Sequence, residues 1–457
     1  MRDTLAGCHM NIIIIGAGNV GSTIAGVLSG SHNILMVEMD GAKVETARST
    51  LNVSVLQENG VNPKVIEEAI TKHSADVLIA AMPYDENNMF SCIVAKHVKE
   101  TIRTIAKIRN PDFIKAMDGD VYFGADMIVS PELATAKKIS KLAVLENAVD
   151  YDEIEKFGLA VSILLVTETH KEFISKAAID IRVPDNCAIM SVYRNGDVLI
   201  YKEMMDILAG DLLCVLGTPG SITELNKRMG CVREAKEIII IGGGIVGGNI
   251  AMILEQEKKY LKLIEQNSEQ CKKLIKDVDN TLVINANGVD PEVLSSENVG
   301  RADVVIFATD SDEKNLLGSL VAKDLGALKI VSRYSKREYE NIFAITGVAS
   351  IVGYHRLIAN EIMKTLISNE KAIMKMGHDG EQLFMIPIKK GSKVSGTHIG
   401  DLEFPEGSRP VCIMRNNEPV FPRLDTKLED NDELLLFTFK TKLHKIEKLF
   451  GTRITDV

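Results

Sequence analysis

Long hydrophobic runs are missing from this sequence. Its apolar stretches, such as those within residues 11–15 and 237–241, are far shorter than the roughly 18 to 20 residues that a bilayer crossing needs. No segment is expected to span a membrane. Nor is a secretory leader expected, because residues 10–15 run into a glycine-rich turn rather than a small-residue cleavage site. The expected location is cytoplasmic, with residues 1–9 a tail or an upstream start that carries no assigned role. The cysteines Cys8, Cys92, Cys187, Cys214, Cys231, Cys271 and Cys412 lack paired spacing, which argues against a disulfide framework or a zinc knuckle and for reduced, mostly buried thiols. The nine histidines form no i, i+4 pair, so no structural metal site is expected. Positive charge is short: 53 Lys and Arg against 63 Asp and Glu leave a net charge of −10. That balance opposes duplex nucleic-acid binding and direct adsorption to an anionic membrane.

What is present is enough apolar material for real cores, 46% hydrophobic with 25% charged over 457 residues. That length implies three or four domains. A duplication organises them. Residues 75–96, ADVLIAAMPYDENNMFSCIVAK, and 302–323, ADVVIFATDSDEKNLLGSLVAK, are identical at half of their positions and lie 227 apart. Gly16 and Gly242 lie 226 apart, and the pairs Arg194-Asn195 and Arg415-Asn416 lie 221 apart. Offsets this constant point to a repeated unit of about 220 residues.

Within each unit two patterns follow one another. Over 10–130 and 236–353, short β-branched runs alternate with helical stretches, in the first half at 11–15, 34–38, 77–81 and 104–108. The fold class this predicts is α/β, a doubly wound parallel sheet of Rossmann type in each half. Over 151–229 and 372–449, short strands at 187–193, 212–216, 411–414 and 434–437 lie among turns, which reads as a small α+β module after each sheet.

The first run enters GAGNVG and places Gly16, Gly18 and Gly21 between a strand and a helix; Gly242, Gly244 and Gly247 repeat the pattern. The first glycine permits the tight turn, the second lets backbone approach a pyrophosphate, and the third lets the helix pack on the strand. The anion would sit on free helix N–H groups. Each copy also has a carboxylate at the end of the next strand, Glu38 and Glu265. A carboxylate there accepts both ribose hydroxyls and repels an extra phosphate, which favours NAD(H) over its phosphorylated form. Asp85, Glu86 and Asn88, with Asp312, Glu313 and Asn315, follow the next strand. They read either as helix N-capping or as ligand or interface residues.

A dehydrogenase would need a second domain bearing an acid/base. Of the tail histidines, His170 stands in the first module and His378, His398 and His444 in the second, without equivalents between them. The halves share no acid/base, so the expectation is a non-enzyme whose ligand acts on conformation.

These motifs together resemble the TrkA family, peripheral subunits of Trk potassium-uptake systems built from RCK (regulator of potassium conductance) domains. The resemblance rests on IIIIGAGNVG and IIIIGGGIVG, on VEMD and LIEQN, on GADMIVSPE at 124–132, and on IMSVYRNG, AGDLLCVLG and SGTHIGDLEFPEGSRPVCIMRNNEPV in the small modules. It implies NAD(H), ADP or ATP binding, assembly into a homo-oligomeric dimer or tetramer, and control of a TrkH-type potassium transporter in the membrane. Carried over by position, Gly16, Gly18, Asn19, Val20, Gly21 and Glu38, with Gly242, Gly244, Ile245, Val246, Gly247 and Glu265, would hold pyrophosphate and ribose. Asn59 and Asn287 stand near the adenine, where the family commonly has Asp. Asn19 and Ile245 replace an arginine that some relatives aim at a third phosphate, which places NAD(H) ahead of ATP. Asn431-Asp432 stands where a Gly-Asp turn is usual. The competing readings are an NAD-dependent oxidoreductase and an adenine-nucleotide sensor for another transporter.

Overall fold

The computed structural model describes residues 9–451 apart from 31, 111–112, 115–123, 172, 175–182, 202–204, 231–234, 337, 349, 355–356, 359–360, 363–371 and 377–380. Cys8, Cys231 and His378 lie outside the described residues; the other five cysteines are buried and free. Among the described residues no helix is long and apolar enough to cross a membrane.

The alternating segments form two six-stranded parallel sheets. In the first, the strands lie in the order Ser54–Gln57, Asn33–Glu38, Asn11–Ile15, Val77–Ala80, Arg103–Lys107, Met127–Val129. The second repeats it as Thr281–Asn285, Tyr260–Glu265, Glu237–Ile241, Val304–Phe307, Ile330–Tyr334, Ser350–Gly353. This is the doubly wound order 3-2-1-4-5-6. The inner strands are apolar throughout because helices cover both faces; Val77–Ala80 and Val304–Phe307 are buried at every position. Four helices begin on a short polar cap followed by proline, at Asn62-Pro63, Ser130-Pro131, Thr218-Pro219 and Asp290-Pro291, and in each the cap side chain accepts a backbone N–H.

Each small module is a five-stranded antiparallel sheet. The first runs Asp197–Ile200, Cys187–Arg194, Leu212–Gly217, Leu159–Leu165, Ala148–Ile154, and the second runs in the same topology, Glu418–Val420, Ser408–Arg415, Glu433–Phe439, Glu381–Pro387, Ala372–Met376. The first small sheet thus begins at Ala148, ahead of residue 151. The repeated Arg-Asn pair now has a physical account. Arg194 grips buried Asp211 with two bonds of 2.7 Å, and Arg415 grips buried Asp432 at 3.0 and 2.8 Å. The residue before each aspartate is left-handed, Gly210 at φ 92° and Asn431 at φ 69°, a conformation asparagine tolerates.

The halves exchange helices. Pro131–Val144, leaving the first parallel sheet, puts Ala136, Ile139 and Leu142 into one core with Ile250 and Leu254 of the second half's helix Ile245–Gln256. In return Ile358 and Ile362 of the second half join Ile24, Ala25 and Leu28 of the first. Lys329 seals one crossing: its ammonium donates to the carbonyls of Leu145, Ala148 and Glu146 at 2.7, 2.9 and 3.2 Å. These carbonyls lie in the turn that leads from the first crossing helix into the strand Ala148–Ile154. The small sheets also share a core, with Met190, Cys214 and Leu216 against Leu383, Val411 and Phe437.

Candidate functional site: paired nucleotide crevices

Both glycine turns sit at the carboxyl end of the first strand of their sheet. Gly16 and Gly242 have φ +101°, a left-handed conformation that favours glycine. The following helices, Asn19–Leu28 and Ile245–Gln256, start on Gly18 and Gly244 with no side-chain cap and no acidic residue in the first turn. With no side chain accepting from them, the first amide groups of both helices are open to an anion. A Cβ on Gly18 would meet nothing within 4 Å, which leaves room for backbone approach.

The carboxylates close the turns from the next strand. Glu38 accepts from the N–H of Ala17 at 2.7 Å and from Met39 and Asp40 at 2.9 Å. Glu265 accepts from Gly243 and Asn267 at 2.7 Å each. Each therefore fixes the turn's shape while presenting its remaining acceptor capacity to the crevice. Asn59 and Asn287 close turns on Val61 and Val289, at 3.0 and 3.5 Å. In the second half a crevice of about 460 Å³ gathers Gly242, Gly244, Glu265 and Asn287. Val20 and Val246 face the core and are buried, so only their backbone is available to a ligand; Asn19 and Ile245 are exposed.

Gln266, Gln270, Thr309, Asp310, Ser311 and Lys314 also line that crevice. Glycine and carboxylate spacing does not single them out; their signal is position, in the loop after a strand end or the first turn of the helix that follows.

The reading of Asp85 and Asp312 as helix caps is corrected. The cap positions are Tyr84 and Ser311. Asp85 instead accepts from the N–H groups of Arg109 and Asn110 at 2.8 to 3.0 Å, and Asp312 from Ser335 and Lys336 at 2.8 and 2.9 Å. Asn88 ties Met82 to Lys107, and Asn315 ties Thr309 to Arg333. These side chains brace the crevice floor against the neighbouring strand. Glu313 is held down to about 2 by the Tyr339 hydroxyl, which donates to it at 2.6 Å. His170 is buried, and desolvation lowers its pKa.

The TrkA-N domain model matches residues 12–131 and 238–353, and the TrkA-C domain model matches 383–451. The chain belongs to the TrkA family. Trk system potassium uptake protein TrkA homolog 2 of Methanosarcina mazei is 29% identical over 452 residues, covering 96% of this chain and 100% of that protein. The TrkA homolog of Archaeoglobus fulgidus is 30% identical over 442 residues, with the same coverage of each. The GsuK channel bound to NAD shares the fold, with a TM-score of 0.64 at 19% identity over 99% of this chain and 80% of that one. The chain is thus a homologue of the TrkA proteins of Trk potassium uptake, with two Rossmann-type TrkA-N domains.

Proposed function

We propose that the chain is a cytoplasmic regulatory subunit that gates a TrkH-type potassium transporter at the inner face of the membrane, with NAD(H) or an adenine nucleotide as the signal and no catalysis. Its working units are Rossmann domains at 10–130 and 236–353 and small modules at 151–229 and 372–449. The observation that carries the reading is the pair of uncapped helix N-termini, each beside a strand-end carboxylate. Gly16, Gly18 and Gly21, with Gly242, Gly244 and Gly247, receive the pyrophosphate, and Glu38 and Glu265 the ribose. Support for NAD comes from the NAD-bound GsuK channel, which has the same fold. Support for self-association comes from matching apolar side chains left exposed on equivalent helices, Phe90 and Ile93 in one half and Leu317 and Leu320 in the other.

The test is to measure NADH and NAD affinity with and without a purified TrkH-type pore subunit, alongside potassium flux in vesicles. Linkage requires the pore to change nucleotide affinity by the factor by which the nucleotide shifts pore coupling, typically about 5- to 150-fold. Identical affinities together with flux indifferent to nucleotide would refute it.

A further inference from the structure

The two glycine turns differ in what stands beside them. Asp310 follows the fourth strand of the second sheet, and its Oδ2 lies 3.7 Å from where a Cβ on Gly244 would stand. The aligned residue of the first half is Pro83, and nothing lies within 4 Å of the corresponding point on Gly18. One turn is open; the other has a carboxylate beside it. That carboxylate is held weakly, since its side chain is 91% exposed and its ion pair is to Arg333 Nη1 at 3.6 Å. Arg333 is itself buried, with an Nε that meets no acceptor. Lys314, aligned with Asn87 of the first half, lines the same crevice on its ribose side, where it hydrogen-bonds Gln266 at 3.2 Å.

We infer that Asp310 makes the two nucleotide crevices unequal, its carboxylate opposing a pyrophosphate at the Gly244 turn so that the first crevice fills before the second. This rests on the nucleotide reading above and adds an order of occupancy to it. A dinucleotide entering the second crevice must displace the Asp310 carboxylate toward solvent, away from Arg333. The repulsion acts through an exposed group, so salt screens it.

The test uses the full chain and NADH, with circular dichroism to verify the fold of each variant. In the wild type, calorimetry should resolve two affinities, and Gly18→Asp should remove the tighter one. On the Gly18→Asp background, Asp310→Asn and Asp310→Ala should each tighten the remaining site about tenfold at low salt. That gain should shrink at about 0.5 M salt. The reciprocal variant Pro83→Asp, on a Gly244→Asp background, should weaken the first crevice. Unchanged or weaker binding in both Asp310 variants overturns the inference, weaker binding identifying Asp310 as a ligand contact. If wild-type protein binds no NADH at either crevice, the nucleotide reading fails and the inference falls with it. Two equal wild-type sites overturn the inference alone.

Discussion

A Cβ placed on Gly21 would collide with the carbonyl oxygen of Gly16, and one on Gly247 with that of Gly242. Both obstacles are backbone, so no rotamer change relieves them. Gly21→Ala should therefore cost about 1–3 kcal/mol in denaturant unfolding and abolish nucleotide binding in the first crevice. Gly18→Ala meets open space and should leave stability within about 0.5 kcal/mol. Lys329 gives a second residue-level expectation. Burial lowers its pKa from 10.5 to about 7. The unfolded chain keeps that proton up to the ordinary lysine range, so between these values unfolding takes up a proton, and stability rises with pH. Unfolding free energies at about pH 7.5 and 9.5 should show a slope approaching 1.4 kcal/mol per pH unit, and Lys329→Met should lack it. At this scale the glycines and strand-end glutamates were legible, because their spacing encodes a local strand–turn–helix. Lys329 was not, since its three acceptors lie more than 180 residues away in sequence.

Four strands of the first parallel sheet stand within one residue of where β-branched runs predict them. The edge strands Ser54–Gln57 and Met127–Val129 were not legible, being short and only partly buried, so they carry too little periodicity to read. Helix exchange was also hidden. An amphipathic pattern reports that a face is covered without naming the partner, and Pro131–Val144 reads the same whether it folds onto its own sheet or the other half's. Ile250 tests the exchange. It is fully buried in the core that holds the first half's crossing helix, so Ile250→Ala should cost about 2–5 kcal/mol. Unfolding followed by chemical denaturation should show that loss. If Ile250 served only its own sheet, Ile139→Ala in the crossing helix would add to it independently. Shared packing makes the double variant non-additive by about 0.5–3 kcal/mol.

At the scale of the molecule, the exposed apolar positions bear on assembly. If the proposed self-association uses them, Phe90→Asp with Leu317→Asp should lower the mass seen by light scattering at micromolar concentration while leaving secondary structure intact; an unchanged mass would remove these side chains from that proposal. The exchange of helices and the shared core between small sheets have a further consequence. Pairing of the two Rossmann domains takes place within one polymer, where the partner's effective concentration is on the order of millimolar. It does not weaken on dilution or vary with copy number, and a half from another chain cannot easily replace the resident one. Two sequences locked at one-to-one stoichiometry are also free to drift apart, as Pro83 and Asp310 have. A pair built from identical chains would have to change both sites at once.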